Sequence, residues 1–244
     1  TNDLSYLILE SKQGMPINYP DLAVRIHSQT PERFLHKVAE VIKEGQGYPK
    51  LFNDEEIVPM YLAKGVPYHM ALDYVVTGCA EHRVPNFKTY IHPGAVINLG
   101  SVLEMVMHNG RVPKYGDVLM GIETGDPAEF KTFDEFYDAF KKQHRYMQEH
   151  CLVQQRALDV VFPKYLACPF TSMLHDLAYE QCEDLHGYVK GGMREAFVDS
   201  CGLGTFADSM AAIKKLVYEE KRFTLPELIK ALDADFEGYE VIEQ

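Results

Sequence analysis

The chain has 244 residues, 46% of them hydrophobic and 25% charged, with 17 Gly and 13 Pro; this is a globular composition, neither disordered nor collagenous. Thirty-six acidic residues against 24 basic ones give a formal net charge of −12, which opposes a nucleic-acid backbone or an anionic membrane as the main partner. No run approaches the roughly 18 apolar residues that a bilayer span requires, and the odd set Cys79, Cys151, Cys168, Cys182 and Cys201 has no regular spacing, which points to a reducing, cytoplasmic setting.

In chain order, Asp3 to Glu10 has helical apolar spacing at Leu4, Leu7 and Ile8. The alternation Leu22, Val24, Ile26 predicts a strand. Thr30-Pro31-Glu32 offers a capping hydroxyl, a first-turn proline and an early acid for a helix that Gly45 and Gly47 stop. A further helix spans Asp54 to Lys64. The β-branched and aromatic run Ala71 to Thr77 predicts a strand that ends in a tight turn at Gly78-Cys79-Ala80-Glu81. Ala95 to His108 reads as one helix closed by Asn109-Gly110, and Gly121 to Pro127 as a polar loop. Thr132-Phe133-Asp134-Glu135 forms a capping box that opens about thirty residues of helix packed on the outside of a large core. Helices over Ser172 to His186, Ala207 to Glu219 and Leu228 to Leu232 follow, with Gly191, Gly192, Gly202 and Gly204 in loops and no obvious element after them. Without visible repeats or linkers, the pattern is one structural unit of α/β class, helix-rich.

Chemistry concentrates at Gly78-Cys79-Ala80-Glu81-His82-Arg83, where a thiol, a carboxylate, an imidazole and a guanidinium gather at the tip of an apolar strand. Gly78 permits a backbone that pushes the next residue out of the strand plane, and residues two apart in extended chain face the same side. Against a functional pairing of Cys79 with Glu81 stands an equal alternative, a buried small cysteine beside a solvated acid. Thiolate catalysis with His82 or His92 would be opposed by the adjacent acid. Zinc finds only the disjoint half-sites Cys79/His82 and Cys182/His186, so no metal is expected. The remaining chemistry is homolytic, with Cys79 abstracting a hydrogen atom and Glu81 moving a proton.

Val75-Val76-Thr77-Gly78-Cys79-Ala80-Glu81 resembles the cysteine loop of the glycyl radical enzymes (the pyruvate formate-lyase-like superfamily), in the branch that carries Gly-Cys-x-Glu rather than an adjacent cysteine pair. Leu4 to Glu10, Pro20 to His27, Gly121 to Pro127, Pro169 to Leu174 and Ala207 to Lys215 resemble stretches of the same family in the same order, so the likeness covers nearly the whole chain. It implies part of a ten-stranded α/β barrel, about one half-barrel with its surrounding helices, as a central fragment over residues 1–244.

By motif position, the resemblance makes Cys79 the thiyl radical site and Glu81 the proton-transferring carboxylate. It also places His92 where members carry a substrate-contacting polar residue, with His108 as a further donor. An exposed loop histidine before Pro93 is the competing reading of His92. No cofactor is expected to bind these residues. In the family a glycyl radical is stored on a C-terminal arginine-valine-glycine motif that this sequence lacks, and a radical SAM activating enzyme installs it. The fragment alone is therefore expected to be inactive, and the full-length enzyme to be a homo-oligomer acting on a small molecule. Cys79 to Tyr90 is most similar to the arylacetate decarboxylase group, typified by 4-hydroxyphenylacetate decarboxylase. Glycerol or diol dehydratases, hydroxyproline dehydratase, choline trimethylamine-lyase and isethionate sulfite-lyase are the alternatives within the branch. A non-catalytic remnant or interaction module is the alternative outside it.

Overall fold

The computed structural model describes residues 1–15, 17, 19–78, 81–87, 95–193 and 198–243. Its helices are joined to short strands that pair two by two, a helix-rich α/β arrangement. The chain forms two compact units: residues 1–89 with 170–183 and 189–194, and residues 90–169 with 184–188 and 195–244.

The first unit opens with α1 (Asp3–Gly14), held by a capping box between Asn2 and Ser5. Its predicted apolar face is the exposed one: Leu4, Leu7 and Ile8 face solvent and Leu9 is buried. β1 (Ala23–Ile26) pairs in parallel with β2 (Lys50–Asn53), Val24 opposite Leu51. The crossover between them is α2 (Glu32–Ile42), as two adjacent parallel strands require. Pro31, not Thr30, is the N-cap of α2, because the Thr30 hydroxyl accepts from the His27 backbone N–H at 2.9 Å. Leu9, Val24, Phe34, Val38 and Val41 make one small core.

Asn53 caps α3 (Asp54–Ala63) by accepting from the Glu55 N–H. The predicted strand from Ala71 starts late: α4 (Tyr68–Leu72) holds Ala71 and Leu72, and β3 runs from Val75 to Thr77. Pro67 explains the difference, since its fixed φ of −57° starts the short helix ahead of the β-branched residues. β4 (Glu81–Arg83) returns antiparallel to β3. Tyr61, Ala71, Tyr74 and Val84, with Phe52, Val58 and Val66, form the core beneath this hairpin. Farther along the chain, α7 (Pro169–Met173) and α8 (Asp176–Gln181) replace the single helix predicted from Ser172 to His186. His175 interrupts it by capping Ala178, and Cys182, at φ +54°, ends it.

In the second unit the predicted helix from Ala95 is split. Its first four residues form β5 (Ala95–Asn98), and α5 (Leu99–Met107) starts where Asn98 Oδ1 accepts from the Gly100 and Ser101 N–H groups at 3.0 and 3.3 Å. β5 pairs in parallel with β8 (Val198–Cys201), Ala95 opposite Val198, about a hundred residues away in sequence. Between them lie the short antiparallel pair β6 (Arg111–Val112) and β7 (Val118–Leu119) and the 33-residue α6 (Phe133–Tyr165). The Thr132–Glu135 capping box that opens α6 matches its sequence signature. Phe136, Ala139 and Phe140 of α6 join Val102, Val106, Met210 and Ile213 in the largest core. α9 (Leu203–Ile213) runs into a π-helical stretch to Glu219, so Gly204 is helical and not in a loop. α10 (Leu225–Asp233) is capped by Thr224 and Glu227, and α11 (Glu240–Glu243) is a final turn absent from the sequence pattern.

Candidate active site

The β3–β4 hairpin registers Thr77 against Glu81, with three residues of sequence, Gly78, Cys79 and Ala80, between them. Gly78 has φ +60°, in the left-handed region that disfavours other residues. A second constraint acts on the same glycine. The Glu81 carboxylate folds back over it, so that a methyl group at Gly78 would meet Glu81 Oε2 at 2.7 Å. The missing side chain thus makes room for the carboxylate as well as for the turn. Across the hairpin, Arg83 Nε donates to the Thr77 hydroxyl at 2.9 Å, and that hydroxyl donates to the Glu81 carbonyl at 3.3 Å. Cys79 and His92 lie outside the described residues, so Glu81 is the catalytic candidate whose surroundings are defined.

The hairpin stands on a polar network that sequence reasoning missed. Tyr61, fully buried, donates its hydroxyl to the His82 carbonyl at 2.9 Å and lies 2.8 Å from His82 Nδ1. One hydroxyl proton serves one acceptor, so Nδ1 is the protonated ring nitrogen. His82 is thus held beneath the hairpin through its carbonyl and Nδ1. Next to it, Arg25 of β1 grips Asp54 of α3 with two bonds, Nε to Oδ1 at 2.8 Å and Nη2 to Oδ2 at 3.0 Å. The Tyr74 hydroxyl adds a third bond to Asp54 at 2.7 Å, and the Arg25 guanidinium lies 3.9 Å over the Tyr74 ring. Burial works to raise the Asp54 carboxyl, but the hydrogen bonds from Arg25 and Tyr74 hold it below the ordinary carboxylate value. Burial, reinforced by Asp54, pushes the Tyr74 hydroxyl well up. The sequence signal was only an Arg on a strand, an Asp in the first turn of a helix and an aromatic before a strand, scattered over fifty residues.

His108, the other predicted substrate contact, belongs to the second unit. Both of its ring nitrogens meet intrachain partners at 2.9 Å, the Glu104 carbonyl and Asp233. With Glu104 and Asp233 it lines a groove of about 630 Å³ whose other walls are mainly apolar, among them Leu103, Met107 and Phe223, with the hydroxyls of Thr205 and Ser209. Those bonds make it a clamp between α5 and α10.

The family model for pyruvate formate lyase-like proteins matches residues 1–244. The chain belongs to the pyruvate formate lyase-like family. It is 50% identical over 245 residues to an isethionate sulfite-lyase of Oleidesulfovibrio alaskensis, covering all of this chain and 30% of that protein. The 4-hydroxyphenylacetate decarboxylase glycyl radical subunit of Clostridioides difficile is 28% identical over 270 residues. By identity the chain is more similar to this isethionate sulfite-lyase than to this decarboxylase subunit. Among solved structures, hydroxyproline dehydratase from Clostridioides difficile, with trans-4-hydroxy-L-proline bound, superposes with a TM-score of 0.77 at 33% identity over 99% of this chain. Glycerol dehydratase from Clostridium butyricum gives 0.74 at 31% over 98%. This pyruvate formate lyase-like chain spans about 30% of the length of these relatives.

Proposed function

We propose that the protein carrying this chain is a glycyl radical lyase in which Cys79 abstracts a hydrogen atom and Glu81 moves a proton, and that its substrate is a short hydroxyalkyl sulfonate, isethionate. What supports the catalytic pair is the hairpin itself, a left-handed Gly78 with the Glu81 carboxylate folded over it. The level of identity to isethionate sulfite-lyase supports the substrate. The stored radical, held outside these residues, supplies the one-electron oxidation of the Cys79 thiol.

In this reading the Cys79 thiyl takes a hydrogen atom from the carbon that bears the hydroxyl. Glu81 accepts the hydroxyl proton, which raises electron density on that carbon and drives the neighbouring carbon–sulfur bond to break. Sulfite leaves with the bonding pair, a carbonyl forms, and the remaining carbon radical recovers a hydrogen atom from the Cys79 thiol. Acetaldehyde, sulfite and the proton taken by Glu81, which it passes to the departing sulfite or to solvent, account for every atom of isethionate, and the thiyl is regenerated. The same pairing of hydrogen abstraction with hydroxyl deprotonation serves dehydration, so the leaving group is set by the pocket around the hairpin. A radical SAM activating enzyme and a homo-oligomeric assembly belong to the same proposal.

The test is anaerobic activation of the full-length enzyme followed by assay of sulfite and acetaldehyde. Isethionate should yield both, and 4-hydroxyphenylacetate should yield no p-cresol. Cys79→Ser should abolish turnover in a folded protein, and Glu81→Gln should lower it by at least about 100-fold, the usual scale of a lost proton-transfer group. Turnover by the serine variant would overturn the radical role. Decarboxylation, or dehydration without sulfite release, would overturn the substrate.

A further inference from the structure

Cys168, Asp184 and His186 come together in the second unit, far in sequence from the hairpin. A thiol sulfur, a carboxylate oxygen and an imidazole nitrogen from these three residues all lie within 4.8 Å of one another. The spacing predicts nothing here, because Cys168 stands sixteen residues from Asp184, and His186 seemed to pair with Cys182. Three observations make the trio more than a coincidence of donors. Cys168 Sγ is 3.5 Å from Asp184 Oδ1. Tetrahedral zinc, with Zn–S near 2.3 Å and Zn–O near 2.0 Å, holds its sulfur and oxygen ligands about 3.5 Å apart. The carboxylate is oriented by two backbone donors, Cys168 N–H to Oδ2 at 2.7 Å and His186 N–H to Oδ1 at 2.9 Å. His186 Nδ1 is hydrogen-bonded to the Leu166 carbonyl. That acceptor fixes the proton on Nδ1 and puts the lone pair on Nε2, the second-shell arrangement that metal-bound histidines use.

We propose that Cys168, Asp184 and His186 bind one zinc ion, with Nε2 as the histidine ligand and water in the fourth position. On binding, the Cys168 thiol releases its proton to solvent and the thiolate pairs with the metal. The ion ties the chain just beyond the end of α6 to the segment that follows α8. The site stands independently of the proposed lyase activity.

Cobalt(II) reports the site, since a thiolate ligand gives a sulfur-to-cobalt charge-transfer band in the near ultraviolet. The intact protein, stripped of metal by dialysis, is titrated with cobalt(II) and back-titrated with zinc against a chromophoric chelator. One equivalent should raise the band, and zinc should displace it. Cys168→Ser, nearly isosteric, should remove the band and weaken zinc at least tenfold. His186→Asn keeps an N–H for the Leu166 carbonyl but has no Nε2, so zinc should weaken by a similar factor while the fold, read by circular dichroism, stays intact. Cys182→Ser and Cys151→Ser should change neither reading. A folded protein with no band on adding cobalt, a band that survives Cys168→Ser, or one lost with Cys182→Ser would overturn the assignment.

Discussion

Gly78→Ala isolates what the hairpin does for the Glu81 carboxylate. The added methyl would sit 2.7 Å from Glu81 Oε2, where ordinary contact starts at 3.4 Å, so the carboxylate must retreat by about 0.7 Å. A misplacement of about 1 Å in a reacting group costs on the order of 100-fold in rate, which puts the expected loss in kcat between about tenfold and about 100-fold. Holding alanine at φ +60° costs a further 1–2 kcal/mol or so of stability, read as a shift in the urea midpoint. The decisive assay is a double-mutant cycle in the activated full-length enzyme, with the stored radical quantified by electron paramagnetic resonance. If alanine acts through the carboxylate, Gly78→Ala should cost nothing further once Glu81 is already Gln. Multiplicative losses in the double variant, or a single variant within about twofold of the parent, would refute the steric link between these two residues.

The Arg25–Asp54–Tyr74 network should show in the acid stability of the first unit. Asp54 titrates below its ordinary value of 3.8 when folded, so the folded state binds fewer protons than the unfolded one near that pH. The stability it contributes is complete above that ordinary value and is lost as pH falls through the depressed one. Asp54→Asn should cost about 2 kcal/mol at neutral pH, the scale of hydrogen bonds to a charged group. It should also flatten the acid limb of urea denaturation, and an unchanged limb would place the titration elsewhere. In the second unit, a methyl at Gly121 would fall on Nε2 of the fully buried Gln143, whose Oε1 accepts from the Ile122 N–H at 3.2 Å. Gly121→Ala should therefore cost about 2–4 kcal/mol by overpacking and by stranding that N–H. Gly204→Ala, helical with open space around its Cα, should stabilise by about 0.5–1 kcal/mol. Equal thermal midpoints for the two variants would show that Gln143 yields without cost.

Where local chemistry decided the outcome, the sequence was readable. The Thr132–Glu135 box declared its helix because its partners are three residues apart. The turn at Gly78 was legible because only glycine sits easily at φ +60°. Boundaries set by distant partners were not. Ala95 to Asn98 has the periodicity of the helix it precedes, and becomes a strand because Val198 to Cys201 offers it a ladder. Pro67 and His175 likewise redivide apolar runs that look continuous. At the site, Cys79 and Glu81 stood out as neighbours in sequence. Tyr61, Arg25, Asp54 and Tyr74 did not, since they converge only through the parallel β1–β2 pair and the α3 cap. The groups around His186 escaped for the same reason, its partners being chosen by the fold and not by an i,i+4 helical register.

The union of β5 with β8 also sets a timetable for the ribosome. Ala95 emerges about a hundred residues before Val198, an interval of roughly 5–20 s at ordinary elongation rates. Throughout that interval β5 lacks its eventual neighbour, while α5 and the first half of α6 can already collapse on each other. Nascent-chain experiments with translation halted before and after residue 201 should find the second unit acquiring protease resistance in one late step, when the last strand arrives.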